Sequence, residues 1–325
     1  MIMRRWNKLA CSMIAVVLAV SLEAPSVSAY VPATSTDVLI PAYVFTPGIQ
    51  YVSMTSEVVV RNDASENSPA IGHMKPGQVA MATGSTDNGW YQIVFCGMTG
   101  YVKVSEVAVY TGGNPEAVSP KVIFPVEGGR IDILGDSVTY GYKLVSRNNV
   151  YANTLGKKLG AVINNYGLSG STIAGIHPNR FLDRCLSMDA TADVILVFGG
   201  TNDYGTNVTL GNYGDTSGET FYGGLNLLMC GLKQAYPDSQ IVFLTPMRRL
   251  RDTKKNKVGS ALSDYVSAIK QMGEFYDIPV VDLYSAPEVN FLSKRSVYMK
   301  DGLHPSDAAH GILADYIYRA IFSDS

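Results

Sequence analysis

The sequence predicts two unlike folded parts, a small all-β barrel followed by a doubly wound parallel α/β sheet of five strands. Between residues 56 and 110, short β-branched and aromatic runs alternate with turn clusters, the spacing of a compact antiparallel barrel. From residue 130 onward the pattern becomes strand then helix, repeated. The strand runs are nearly unbroken in Val, Ile, Leu and Phe, as in parallel strands covered on both faces.

The barrel strands are read at 58–60, 78–82, 90–95 and 100–103. Turn clusters at 62–65, 75–77 and 86–89 separate them. In the second part the strands are read at 131–134, 161–165, 194–198, 241–245 and 278–283. Helices are expected at 150–159, 179–188, 219–235, 259–276 and 306–321. Residues 30–55 and 111–129, rich in Pro, Gly, Ser and Thr, read as linkers. The second domain then runs from 130 to 325.

Residues 1–29 read as a secretory signal peptide. Arg4, Arg5 and Lys8 form a basic start, 9–20 is an apolar run, and Val27-Ser28-Ala29 offers a small-residue cleavage site. The apolar run is short for a membrane span, which needs about 20 residues. The expected localisation is therefore extracellular. Three cysteines remain beyond that segment, Cys96, Cys185 and Cys230. An odd, sparse set is no disulfide framework; at most Cys185 and Cys230 could pair, and buried core thiols are expected. No Cys/His spacing for zinc is present, and no cofactor is expected. A formal net charge of −2 over 325 residues argues against nucleic acid as a partner.

Right-handed crossovers place the strand carboxyl ends, and the loops after them, on one edge of the sheet. Those loops hold the unusual residues. The first carries Gly135-Asp136-Ser137, the second Gly167-Leu168-Ser169-Gly170-Ser171, the third Gly199-Gly200-Thr201-Asn202-Asp203, and Asp301-Gly302-Leu303-His304-Pro305 precedes the last helix. A serine hydroxyl is a poor nucleophile until a base takes its proton, and His suits that role near neutral pH. Asp301, three residues before His304, could hold its second ring nitrogen. Taken singly, each segment also has a structural reading: Asn202-Asp203 as an Asx turn, Ser306 or Asp307 as a helix cap, Asp301-Gly302 as a turn. Four such segments on one sheet edge point to chemistry instead.

In order, the blocks ILGDSVTYG, NNYGLSGST, VFGGTNDYG and KDGLHP resemble the SGNH (GDSL-type) hydrolase family, whose flavodoxin-like fold matches the expected sheet. The resemblance runs from Arg130 to the carboxyl terminus. It implies Ser137 as nucleophile, His304 as general base and Asp301 as its acid partner. The oxyanion hole would be formed by the backbone N–H groups of Ser137 and Gly170 and the Asn202 side-chain amide. Asp203 and Tyr204 are expected to line the substrate pocket, and the long loop 204–220 to form one of its walls. Asp136 is expected to hydrogen-bond its own turn, His177 to lie on a loop, His310 to pack or meet solvent, and the basic run 248–257 to be a solvated loop.

Residues 56–110 resemble the bacterial SH3-like (SH3b) domain through Val60-Arg61, Ile71-Gly72, Lys75-Pro76-Gly77, Asn88-Gly89-Trp90-Tyr91 and Thr99-Gly100-Tyr101-Val102. That resemblance implies cell-wall peptidoglycan as a partner. The combined expectation is a secreted serine esterase removing a small acyl group, acetyl above all, from a carbohydrate or cell-wall glycan. The alternatives are a lipolytic esterase or lysophospholipase on the same residues, and a non-catalytic wall-binding protein using the hydrolase fold as scaffold. The sequence fixes neither an oligomeric state nor a contact between the two domains.

Overall fold

The computed structural model describes residues 43–113 and 128–323. The expected signal peptide, the linker up to residue 42, and 114–127 of the second linker lie outside the described residues.

Seven antiparallel strands build the first part: β1 (Phe45–Met54), β2 (Val58–Arg61), β3 (Ala70–Met74), β4 (Val79–Thr86), β5 (Trp90–Phe95), β6 (Met98–Lys103) and β7 (Val107–Val109). Their order in the sheet is β3-β2-β6-β5-β4-β1-β7. Period-two alternation turns Val58 and Val60 of β2, and Ile93 and Phe95 of β5, into a core with Val52, Met74, Ala82 and Val102. The β5–β6 hairpin turns through Cys96 and Gly97, both at positive φ (47° and 75°), as a tight hairpin of primed type requires.

Strand β1 corrects the sequence reading, which took 45–54 for linker. Thr46-Pro47-Gly48 is the turn-like signal that misled it. The strand tolerates Pro47 because its register with β4 shifts between Pro47 and Gln50, and because β7 pairs only with Val52, Ser53 and Met54. Proline is confined to such bulges and open edges.

The second part is a five-stranded parallel sheet of β8 (Arg130–Gly135), β9 (Val162–Gly167), β10 (Val194–Phe198), β11 (Gln240–Leu244) and β12 (Val280–Val281). The order β12-β11-β10-β8-β9 places the first and third strands of this sheet side by side at its centre. That is the flavodoxin-like arrangement, whose switch point lies between those two strands. The last strand is shorter than expected, since Pro279 has no N–H to donate to the ladder. Its helices are α1 (Ser137–Tyr140), α2 (Tyr151–Leu159), α3 (Phe181–Arg184), α4 (Thr201–Thr206), α5 (Phe221–Ala235), α6 (Leu262–Phe275), α7 (Arg295–Tyr298) and α8 (Asp307–Ile317). The helix expected at 179–188 is only α3 followed by a 3-10 turn, Cys185–Ser187. Ile195 and Val197 of β10 face α5 and α6. Val194, Leu196 and Phe198 face α2 and α8 on the other side.

The barrel and the sheet domain touch. The described residues from Phe45 onward belong to one compact unit, with α5 as the seam. This helix is buried around its whole circumference, including Tyr222, Leu225, Asn226, Met229, Cys230 and Gln234, as expected of a helix packed on both sides. Gln234 Oε1 accepts from Cys96 N–H at 2.8 Å, and its Nε2 donates to the Val94 carbonyl at 3.1 Å. Gln78 Nε2 donates to the Lys233 carbonyl at 2.6 Å. The Tyr51 ring meets Phe275 edge-on, with centroids 4.8 Å apart, and Asn226 Nδ2 donates to the Tyr51 hydroxyl. The three cysteines among the described residues, Cys96, Cys185 and Cys230, are free thiols.

Gln234→Ala strands the Cys96 N–H and the Val94 carbonyl in the seam, and leaving buried groups unpaired costs about 1–3 kcal/mol. The urea midpoint should fall accordingly, with barrel and sheet signals lost together. An unchanged midpoint would show that these bonds do not hold the seam.

Candidate active site

Strand β8 ends at Gly135, and the chain turns at once into α1. Asp136 caps that helix, its Oδ1 accepting from Val138 N–H at 2.9 Å. Ser137 is therefore the first helical residue. Its N–H is among those a helix start leaves without an internal partner. Burial pushes the Asp136 carboxyl up to about 6, against the lowering by Val138 N–H.

His304 reaches Ser137 from the segment before α8. Its Nε2 lies 3.0 Å from Ser137 Oγ, and its Nδ1 lies 2.8 Å from Asp301 Oδ2. An ionised carboxylate only accepts, so Nδ1 carries the hydrogen and Nε2 is left to accept from the serine. Asp301 Oδ1 accepts from Leu303 N–H at 3.0 Å and His304 N–H at 2.8 Å. Lys143 Nζ lies 2.7 Å from Asp301 Oδ2. Burial alone would raise this carboxyl; Lys143 and the His304 donors outweigh it and hold Asp301 well below the ordinary range.

The loop after β9 carries Gly170, at a φ of 81° and with nothing within 4 Å of where a side chain would begin. Asn202, in the first turn of α4, donates from Nδ2 to the Ser171 carbonyl at 2.9 Å. A primary amide has two N–H groups, and this bond uses one of them. Thus the described structure joins Ser137, His304 and Asp301 in one hydrogen-bonded chain, and ties Asn202 to the loop of Gly170.

Two expected pocket residues lie elsewhere. Asp203 does not line a pocket: it is 0% exposed and accepts from Ile173 N–H at 3.0 Å and Ala174 N–H at 2.9 Å. Burial pushes its carboxyl up to about 7, the two N–H groups opposing. Tyr204 is buried too, its hydroxyl donating to the Arg251 and Lys254 carbonyls. The middle of loop 204–220 also departs from expectation. Tyr213 packs against Phe275 and Tyr222, and Asn226 Nδ2 donates to the Asp215 carbonyl. The basic run is not simply solvated, because Arg248 pairs with Asp252 and Arg249 donates to the Thr201 carbonyl at 3.0 Å. His310 is buried, accepting from Tyr151 N–H at 3.1 Å, and burial brings it down to about 4. His177 is half-buried on its loop, its Nδ1 2.9 Å from the Pro178 carbonyl.

Three contributors escaped the sequence reading. Arg184 donates to the Tyr166 carbonyl at 2.7 Å, the Gly135 carbonyl at 3.2 Å and Ser171 Oγ at 3.1 Å, tying the first two loops together. Lys143 meets Asp301 as above, and the Tyr142 ring packs edge-on against His304 at 4.8 Å. Long-range partners of this kind leave no spacing in a single sequence. Among the described residues, no group of three His, Cys, Asp or Glu is placed to hold a metal ion.

The family described as GDSL-like Lipase/Acylhydrolase matches residues 133–312. The chain belongs to that family. A crystal structure of a protein from Lactobacillus plantarum is 32% identical, with a TM-score of 0.54, covering 60% of this chain and 97% of its own. A further crystal structure is also 32% identical, with a TM-score of 0.56, covering 60% of this chain and 96% of its own. Residues 56–108 match the bacterial SH3 domain. No protein of curated function matches the chain.

Two pH effects follow from the carboxylates. Asp203 titrates higher folded than unfolded, so its contribution to stability is greatest below about pH 4 and is lost as pH rises toward 7. Urea midpoints measured from pH 4 to 7 should fall less steeply in Asp203→Asn than in the wild type. Asp301 titrates lower when folded, so its contribution is present above about pH 4 and lost as pH falls. Lys143→Met should therefore begin acid unfolding at a higher pH, followed by circular dichroism.

Proposed function

We propose that the protein is an exported serine esterase that removes a small acyl group, acetyl in particular, from a glycan. The observation that carries the hydrolytic part is the unbroken chain from Ser137 Oγ to His304 Nε2 at 3.0 Å and from His304 Nδ1 to Asp301 at 2.8 Å. Membership of an acylhydrolase family supports it independently. The bacterial SH3 match and the leader-like first 29 residues support the extracellular glycan part.

In this reading Ser137 Oγ attacks the ester carbonyl as His304 Nε2 takes its proton. The charge developing on the carbonyl oxygen is met by Ser137 N–H, Gly170 N–H and the free N–H of Asn202. Preorganised donors at such a position contribute about 3–4 kcal/mol each. His304 then protonates the leaving alcohol, which departs and leaves an acyl-serine. Water, deprotonated by the same nitrogen, attacks the acyl carbon; the serine leaves with the proton, releasing the acid. Asp301 keeps the imidazole in the correct tautomer and stabilises the imidazolium without taking the proton. The barrel would hold the enzyme on wall peptide or glycan.

Acetate release from acetylated peptidoglycan and acetylated plant polysaccharides tests the substrate. Faster cleavage of long-chain than acetate esters, with no turnover of either polymer, would make the enzyme lipolytic instead. Ser137→Ala and His304→Ala should each lower kcat on p-nitrophenyl acetate by at least about 10⁴-fold. Asn202→Ala should lower it by about 10²–10³-fold. Wild-type rates in Ser137→Ala would overturn the mechanism.

A further inference from the structure

Beside the nucleophile turn lies a cleft of about 290 Å³, lined by Tyr140, Arg147, Val150, Asn153, Asn165 and Gly167. Its position is set by both catalytic loops. Tyr140 ends the helix that Ser137 begins, and Gly167 ends β9, three residues before Gly170. The two walls meet closely: a side chain at Gly167 would come within 2.3 Å of Tyr140 N. The volume is at the small end of ligand sites, which begin near roughly 300 Å³. It suits a single ring rather than an oligomer.

Most of the lining side chains carry a polar group, with Val150 the only aliphatic one, although more of the lining surface is apolar than polar. Its amides are largely committed to fixing the walls. Asn165 Nδ2 donates to the Thr139 carbonyl at 2.7 Å, and its Oδ1 accepts from Gly167 N–H at 2.8 Å. Asn153 Nδ2 donates to the Arg147 carbonyl at 3.0 Å. That carbonyl also accepts from Val150 N–H at 3.1 Å, so the backbone of Arg147 is held from two sides. Its guanidinium lies over the Tyr140 ring, Cζ 3.8 Å from the centroid, and donates to the Tyr140 hydroxyl. Among the described residues no carboxylate pairs with it. A guanidinium stacked on an aromatic face keeps donors along its edge, and that fork matches a carboxylate in two-point contact.

We propose that this cleft binds a carboxylate-bearing sugar residue next to the acylated unit of the substrate. Arg147 takes the carboxylate, and the Tyr140 hydroxyl and the free Asn153 carbonyl oxygen meet ring hydroxyls. This deepens the esterase reading and rests on it for the identity of the reacting group. The ligand class itself follows from the lining: an exposed cation over an aromatic ring at the rim of a ring-sized space, with amide groups beside it.

The test is binding rather than turnover. Full-length Ser137→Ala is titrated calorimetrically with digalacturonate and with cellobiose, a neutral disaccharide. Digalacturonate should bind at least tenfold more tightly, and raising the salt concentration should narrow the gap. Arg147→Gln in the same background should erase the preference. Arg147→Lys, which keeps the charge and loses the two-point fork, should retain only part of it and serves if the glutamine variant melts early. Equal affinity for the two disaccharides, or a preference that survives Arg147→Gln, overturns the proposal. So does binding of acetyl-D-alanyl-D-alanine as tight as that of digalacturonate, because the carboxylate would then belong to peptide rather than sugar. Hydrolysis of p-nitrophenyl acetate by the wild type is scored separately, so failure of the esterase reading is distinguishable from failure of the subsite.

Discussion

The site depends on one pairing, that of β8 with β10. Their parallel register sets Leu134 beside Val197 and Gly135 beside Phe198. Both strands therefore end level, and the chain leaves each of them into a short helix within three residues. Ser137 and Asn202 start those helices as neighbours because their strands are neighbours. No residue of either loop could arrange this alone. In a parallel sheet buried on both faces, a slip of one residue would exchange the side chains packed on its two sides, so the two loops inherit the rigidity of the sheet.

Polar side chains then lock the loops to one another. Asp203 accepts two N–H groups from the loop after β9, Arg184 donates to both the first and second loops, and Arg249 holds the start of α4. Asp203 is fully buried and the two arginines half-buried, and each makes bonds to backbone that offset the cost of its burial. Charge-assisted bonds to fixed carbonyls and N–H groups are about twice as strong as neutral ones. Donors held in this way need little reorganisation when charge develops on a substrate oxygen, which is the physical basis of electrostatic preorganisation.

Much of this was legible in the sequence because it is local. Apolar runs bounded by turns gave β8, β10 and β11 nearly to the residue, and Ser137, His304 and Asp301 meet as their loops implied. What was missed depends on tertiary partners. Asp203 looks like a loop acid from its neighbours in sequence, yet folding points it inward at N–H groups about thirty positions away. Tyr204 likewise spends its hydroxyl on carbonyls of the basic loop. Pro47 reads as a strand breaker until the bulge and the open edge around it are known. The seam along α5 did leave a trace. Its window Leu-Asn-Leu-Leu-Met-Cys-Gly-Leu is apolar with no polar face, more than a single sheet needs to cover.

That seam bears on reach. A binding module on a slack tether lets its enzyme search a volume set by the length of the linker. Here Gln234, Gln78, Tyr51 and Asn226 bind the barrel directly to the helix behind the sheet. An anchor gripped by such a barrel fixes a radius instead of a volume. On the proposed reading, the esters within range would be those at one distance and one orientation from the holdfast, and release would have to precede work on the next patch.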